Sequence, residues 1–333
     1  MKFLIIGLGS AGQRHARIIR RFFPEASIKA FVGKHKVGLI AEDLQSIDYK
    51  TSPLQHYKIE ELLTFDALDE NFDLAIVATP IASHEFYFEK VFKYSRRVLI
   101  EKPIEMSHLK SLEMANQAIK NDIPLLVGYQ HNFNPITKII LDQIKTRGQP
   151  ETISITFHEY LRDMNRFRDM NQHHLARANG GGVILALSHE LDFVLQAINS
   201  NVSQIDFNLH SSGEFPDVID EAKIKCLMGN ESTRLTEVNI SLSYSNVVRE
   251  RKGGIAWKSS LLDWNFFTGE ISLSSNGAID FKEIHQISGD KLIALQLLFF
   301  LNKTHLDDDL RQRLGRAVEI VRLNELAIRQ SLN

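Results

Sequence analysis

Two side chains stand where they could do chemistry. Lys102 follows the apolar run Val98-Leu99-Ile100 and Glu101, and Pro103 holds it in extended backbone. A lysine at the carboxyl edge of a parallel sheet can donate to a hydroxyl or carbonyl oxygen and stabilise negative charge developing there. The plain alternative is an ordinary surface lysine after a strand. His189 lies in Leu187-Ser188-His189-Glu190-Leu191-Asp192, on a helical run from Val183 to Ile198 opened by Gly180-Gly181-Gly182. His189 and Asp192 are three apart and share a helix face, with Glu190 directed elsewhere. That spacing suits a general base steadied by a carboxylate, or else a plain surface pair. His173 and His174 precede the glycines and either line the same cleft or bind nothing. No His, Cys, Asp or Glu set has metal-ligand spacing, so no metal is expected.

These residues need elements to hold them. Phe3-Leu4-Ile5-Ile6 reads as a buried strand, Gly7-Leu8-Gly9-Ser10-Ala11-Gly12 as a tight turn, and Gln13 to Ile19 as the start of a helix. Gly7 permits the turn, Gly9 lets backbone approach a pyrophosphate, and Gly12 lets the helix lie close on the sheet. The amides around Ser10 and Ala11 then face the phosphates at the positive helix end. A second strand, Ile28 to Val32, ends at Gly33. A carboxylate there would bind the ribose hydroxyls of NAD; this chain instead has Gly33, Lys34 and Lys36. The lysines either attract a 2′-phosphate, favouring NADP(H) with NAD(H) possible, or are solvated loop charges. Ser83 is a candidate cap for the helix reaching Tyr94.

Strand and helix alternate to about residue 128, the signature of a parallel sheet. Beyond it, Thr152 to Phe157, Gln204 to His210, Glu221 to Leu227, Thr236 to Tyr244, Gly254 to Ser259 and Leu262 to Glu270 alternate in polarity. They imply a large, mostly antiparallel sheet with one open face. The expected fold is α/β: a Rossmann dinucleotide-binding domain over 1–128, a substrate and oligomerisation domain over 129–305, and a helix over 306–333 packing back on the body. A bare face on so large a sheet would be an apolar liability, so a partner subunit is expected to cover it. Of 333 residues, 44% are hydrophobic and 24% charged, and the net charge is −2. Nothing there favours nucleic acid or an anionic membrane as a partner. Cys226 is the single cysteine, which fits a reducing cytoplasm. No run approaches a membrane span, and Gly7, Gly9 and Arg14 cut the N-terminal apolar stretch too short for a signal peptide.

The chain resembles the glucose–fructose oxidoreductase / inositol dehydrogenase / rhizopine catabolism (Gfo/Idh/MocA) family of NAD(P)-dependent sugar oxidoreductases. The resemblance rests on Gly7 to Gly12, Ala78-Thr79-Pro80 with His84, Glu101-Lys102-Pro103, Gly128-Tyr129 with Pro135, and Gly180 through Asp192. Gly9 to His15 and Ser188 to Asp192 are similar to a branch found with bacterial surface-polysaccharide and nonulosonic-acid sugar genes. The resemblance implies a cytoplasmic homodimer or homotetramer acting on a sugar, sugar acid or nucleotide sugar. It implies that Lys102 polarises the reacting oxygen while His189 takes its proton. It also implies that Thr79, Pro80 and His84 line the cofactor cleft; Glu101 and Lys102 are further candidates for cofactor contact, and Tyr129, His173, His174 and Asp192 are candidates for substrate contact. Two departures stand out. Ala186 replaces a common aspartate, and Asn132 a common arginine. The missing carboxylate keeps a second class open, a non-catalytic NADP(H)-binding sensor or accessory subunit. A third reading has the nicotinamide recycled within each turnover.

Overall fold

Phe3, Leu4, Ile5 and Ile6 are wholly buried, which only a strand in mid-sheet with both faces covered can achieve. The computed structural model describes residues 1–33, 38–42, 46–65, 68, 71–164, 182–200, 202–215, 218–229 and 235–331, with the side chains of 185–187 left aside. Lys34, Lys36, His173, His174, Gly180, Gly181 and the Ala186 side chain lie outside the described set. Two compact units result, one built on Met1–Gln130 with Gly289–Glu325, the other beginning at His131–Met164 and carrying the later strands.

In the first unit, β1 (Lys2–Ile6) leads through the glycine turn to α1 (Ser10–Phe22), then β2 (Ser27–Phe31). The short β3 (Leu39–Ile40), β4 (Ile47–Asp48), α2 (Pro53–His56) and β5 (Glu60–Glu61) follow. Then come β6 (Leu74–Val77), α3 (His84–Val91), β7 (Val98–Ile100), α4 (His108–Lys120) and β8 (Leu125–Val127). The sheet runs β5-β2-β1-β6-β7-β8, and every pairing is parallel. The chain leaves β1 to one side and returns to the other, so a topological switch point opens beyond its carboxyl end. On α1, Gly12, His15, Ala16 and Ile19 form the buried stripe that helical spacing dictates. Ser107 caps α4 by accepting from the Lys110 N–H at 3.5 Å. Ser83 does not cap α3. Its hydroxyl turns back to donate to the Pro80 carbonyl at 2.7 Å, and the Thr79 hydroxyl, at 3.0 Å, can donate to it in turn.

The second unit carries α5 (Pro135–Arg147), β9 (Thr152–Tyr160), α6 (Leu161–Met164), α7 (Val183–Ile198) and β10 (Val202–His210). It continues with β11 (Glu221–Met228), β12 (Thr236–Ser243), β13 (Ser245–Trp257), β14 (Ser260–Asn265), β15 (Glu270–Ser275) and β16 (Ala278–Ile284). Its eight strands run β10-β11-β12-β9-β13-β14-β15-β16. Only β9 with β12 is parallel among these pairings. Ile153, Ile155 and Phe157 of β9 point into the core beside Ala222, Ile224, Val238 and Ile240, and α7 packs against β11 and β12.

Two expectations change. The outward face carries Ser154, Lys223, Lys225, Glu237 and Asn239, so it is polar over β9, β11 and β12; the exposed apolar residues are Val247 and Val248 in the irregular first half of β13 and Leu261, Ile279 and Ile284 toward the β16 edge. Alternation places polar residues outside over β9, β11 and β12, so the exposed apolar surface is confined to part of the sheet rather than spread over a whole face. The second change concerns the domain boundary. The last helices α8 (Gly289–Leu301) and α9 (Asp308–Ser331) follow β16, and residues 289–305 group with the first unit rather than the second. Ile293, Ala294, Leu297 and Phe300 of α8, with Leu306 and Leu310, join the same buried cluster as Phe3, Ile5, Ala16 and Ile19.

Candidate functional site

The glycine turn is constrained from several directions. Gly7 has a φ of +91°, and a Cβ on it would stand 2.8 Å from the Ala78 carbonyl oxygen. A Cβ on Gly12 would stand 1.9 Å from the Gly7 carbonyl oxygen. Gly9 differs. No atom lies within 4 Å of where its Cβ would be. It is the N-cap of α1, it offers no side-chain cap, and no acid stands in the first turn. The amides of Ser10, Ala11 and Gly12 therefore face an open cradle at the positive end of a 13-residue helix, as a pyrophosphate requires. Gln13 secures the rim. It is buried; its Nε2 donates to the Leu8 and Gly38 carbonyls at 2.9 Å each, and its Oε1 accepts from the Ile40 N–H at 2.8 Å. Gly33, just past β2, is exposed with a φ of +75°, so the position where NAD-binding folds carry an acid offers no carboxylate.

Thr79 and Pro80 leave the carboxyl end of β6, and Glu101 and Lys102 that of β7. All four stand on the strand ends where open parallel sheets bind ligands. His84 behaves otherwise. It is fully buried, with Nδ1 at 3.1 and 3.2 Å from the Pro103 and Ile104 carbonyl oxygens and Nε2 at 3.0 Å from that of Thr79. Burial lowers its pKa despite those carbonyls, so the ring is neutral and donates to one side at a time. A ring with no exposed surface cannot touch a cofactor. His84 instead ties the β6 turn to the segment after Lys102, which corrects its assignment to the cleft. Glu101 bonds inward as well, its Oε1 2.7 Å from Nε2 of the buried His15 on α1. Burial would raise the Glu101 carboxyl, but the His15 hydrogen bond and the charges of His15 and Lys102 outweigh it and hold it below the ordinary value. Gly128 leaves room for this carboxylate, since a Cβ there would come within 3.1 Å of Glu101 Oε2. Tyr129 is 3% exposed, so it is core rather than a face for substrate.

In the second unit, Asn134 caps α5 by accepting from the Ile136 N–H at 2.9 Å, with Pro135 in the first turn. This fixes the short helical turn Gln130–Phe133 that carries His131. Gly182 opens α7 with a φ of +114°, and a Cβ on it would lie 2.7 Å from the Ile219 carbonyl oxygen, so glycine is required. A small cavity is lined by His131, Thr137, His189, Glu190, Asp192, Arg251 and Trp264, among others. The expected pair His189 and Asp192 are thus brought to one cavity. Glu190, expected to point elsewhere, is there too. It is buried, and its Oε1 accepts from Arg251 Nη2 at 2.6 Å and Nε at 3.1 Å. Arg251 Nη1 also donates to His131 Nε2 at 2.7 Å, and the guanidinium lies 4.8 Å over the Phe157 ring. The rings of His131 and His189 meet edge to face, 5.1 Å apart at 82°. Among the described residues, Glu190 Oε2, Thr137 Oγ1 and Trp264 Nε1 are buried with no hydrogen-bond partner. They offer an acceptor, a hydroxyl and a donor. Sequence reading missed His15, Gln13, His131 and Arg251. Only His131 left a trace, standing beside the Asn132 departure.

Residues 1–129 match the family model described as Gfo/Idh/MocA, oxidoreductase family, NAD-binding Rossmann fold. The match covers 129 of the 333 residues, the stretch from β1 through β8. Uncharacterized oxidoreductase YrbE of Bacillus subtilis (strain 168) is 24% identical over 205 residues, 60% of this chain, and the match spans about half (54%) of that relative's length. Among solved structures, UDP-N-acetylglucosamine 3-dehydrogenase GnnA from Acidithiobacillus ferrooxidans is similar with a TM-score of 0.74 and 16% identity, covering 98% of this chain and 97% of that one. Levoglucosan dehydrogenase in complex with NADH and levoglucosan matches with a TM-score of 0.74 and 12% identity, covering 99% and 96%. At such identities the likeness is one of fold. No helix among the described residues is long and apolar enough to cross a membrane.

Proposed function

We propose that this chain, whose N-terminal domain is that of the Gfo/Idh/MocA oxidoreductases, moves a hydride between a nicotinamide nucleotide and a secondary hydroxyl or keto group of a sugar, sugar acid or nucleotide sugar. The observation that carries the reading is the open cradle at Gly9, set on the α1 N-terminus at the switch point of the sheet, with Lys102 just past the carboxyl end of β7, two strands along from β1. Gly7, Gly9, Ser10, Ala11 and Gly12 would hold the pyrophosphate. A bound nicotinamide supplies hydride acceptance or donation. The chain supplies the rest. In the oxidative direction the His189 ring takes the hydroxyl proton as the carbonyl forms, and it returns that proton in reduction. The Lys102 ammonium donates to the same oxygen and offsets the charge that gathers there. Glu190 Oε2, Thr137 Oγ1 and Trp264 Nε1 give the wall of the same small cavity an acceptor, a hydroxyl and a donor, a polar lining that suits a polyhydroxylated substrate. The neighbours named for UDP-N-acetylglucosamine and levoglucosan support a sugar as the substrate class. Assembly through the sheet face, as a homodimer or homotetramer, belongs to the same reading and would use polar contacts over β9, β11 and β12 together with the exposed apolar residues of β13, β14 and β16.

Lys102→Met is expected to lower turnover by about 10²–10³-fold, the effect of losing one donor to a developing oxyanion, while NADPH binding stays near wild type. The measurement is nicotinamide absorbance across a panel of sugars and nucleotide sugars. Full activity in the variant would remove Lys102 from the chemistry. Tight NADPH binding with no turnover anywhere in the panel would favour a sensor or accessory role. NADPH is proposed to bind more tightly than NADH, because Gly33 brings no carboxylate to repel a 2′-phosphate. Equal dissociation constants for the two nucleotides would reject that preference.

A further inference from the structure

We infer that His131 is a positioning residue that Arg251 holds in its neutral Nδ1–H form, edge to face with His189, so that the proposed base has a fixed orientation and its ring neighbour adds no further positive charge. The inference rests on the proposed role of His189. A guanidinium has five N–H donors and no acceptor, so the 2.7 Å contact from Arg251 Nη1 requires a lone pair on His131 Nε2. The ring proton is then on Nδ1. Protonating Nε2 would set two donors against each other and add a positive charge beside the guanidinium. Arg251 is itself fixed. Glu190 Oε1 accepts two of its N–H groups, and the Phe157 ring lies under its plane. The His131 ring meets His189 at 82° with centroids 5.1 Å apart, the edge-to-face arrangement that aromatic quadrupoles favour. Phe266 packs on it at 5.4 Å. The charged and titratable groups lining this cavity are His189, Glu190 and Asp192 from α7 and Arg251 from β13; the β14 side contributes Trp264 and Phe266, which do not titrate. A neutral His131 adds no positive charge of its own to oppose protonation of His189.

The test uses the full chain, uniformly labelled with ¹⁵N, and long-range ¹H–¹⁵N correlation of the imidazole rings, with His131 assigned by the signals lost in His131→Gln. The expected pattern is a neutral Nδ1–H ring that does not titrate between about pH 5.5 and 8, the range in which an ordinary histidine would. A His131 that titrates in that range, or that carries its proton on Nε2, overturns the inference. Positioning has its own readouts. In His131→Ala the His189 resonances should shift or broaden, and kcat should fall about tenfold with KM held within about twofold, the signature of an interaction realised in the transition state. The glutamine variant, which can accept from Arg251 and is neutral at every pH, should recover part of that loss. His131→Lys should move the acidic limb of the kcat/KM profile to lower pH, because a neighbouring cation disfavours protonated His189. Unchanged His189 resonances in the alanine variant, or an unmoved limb in the lysine variant, would reduce His131 to packing. If no sugar is turned over, the proposed activity fails on its own, and the ring spectra still decide the tautomer and the coupling.

Discussion

Asp290 shows how one carboxylate can tie the nucleotide-binding helix to the rest of its unit. It accepts from Arg14 Nε at 2.9 Å and from Arg17 Nε and Nη2 at 3.0 and 3.2 Å. Burial would raise its pKa, but the hydrogen bonds and charges of Arg17 and Arg14 prevail, and it lies below the ordinary carboxylate value. A carboxyl depressed in the folded state contributes stability above its unfolded value, and that contribution is lost as pH falls through the folded one. Asp290→Asn is therefore expected to cost about 1–3 kcal/mol at pH 7. Denaturant melts should show the gap to wild type closing below about pH 4. A gap that stays constant from pH 7 to pH 3 would show that the ion pair is not its source. Cys226 gives a second check at this scale, since burial pushes its thiol up to about 12. Native protein should react with a thiol reagent only on unfolding. Neither Asp290 nor the His131–Arg251–Glu190 set could be read in the sequence. Arg251 lies 61 residues from Glu190 and 120 from His131. Lys102 and His189 could be picked out because each follows a local signal, a strand end before proline in one case and a glycine-opened helix in the other.

At the scale of elements, the strand–turn–helix at the N-terminus was legible because every requirement is local: an apolar run, glycines at fixed offsets, then a helical stripe. Its glycines are not equivalent, and that separates binding from folding. Gly9→Ala places a methyl in open space at a φ of −70°, which alanine accepts, so thermal stability should stay near wild type. The same methyl stands in the cradle, and NADPH affinity should fall. Gly12→Ala sets a methyl against the Gly7 carbonyl and should destabilise by at least about 1–3 kcal/mol, as overpacking does. Calorimetry with nucleotide titration reads both. A Gly9→Ala protein with undiminished affinity would remove the pyrophosphate from this turn. Elements failed to show where periodicity fails. In α8, Leu292, Ile293, Ala294, Leu297 and Phe300 are all buried, and Leu298 and Phe299 add to the run, so no polar face marks a helix. β13 extends from Ser245 to Trp257 with a register shift between Ser245 and Glu250, which broke the alternation and hid its first half. The reading also ran β14 through the turn at Phe266 to Gly269, because Trp264, Phe266 and Phe267 look like strand, and so missed β15 and β16.

For the molecule as a whole, the first unit is discontinuous in sequence, and this has a consequence for folding. Residues 1–130 contain the entire parallel sheet and the complete glycine turn, and chain order suggests an independent domain. Yet Ile293, Leu297, Phe300, Leu306 and Leu310 fill one cluster with Phe3, Ile5, Ala16 and Ile19, and Asp290 supplies the carboxylate for Arg14 and Arg17. Each large apolar side chain fully buried is worth about 1.5–3 kcal/mol. Exposing one wall of that cluster therefore removes an amount comparable to the whole stability of a domain, about 5–15 kcal/mol. A fragment of residues 1–130 is expected to lack a cooperative thermal transition, to bind a hydrophobic dye, and to bind NADPH weakly or not at all. Joining residues 289–325 to it through a flexible linker should restore both the transition and the binding, because that stretch returns α8, its Asp290 and most of α9. Circular dichroism melts of the two proteins, with NADPH titration, decide the matter. Should the short fragment melt cooperatively by itself, the C-terminal helices would be a cover for this unit and not part of its core.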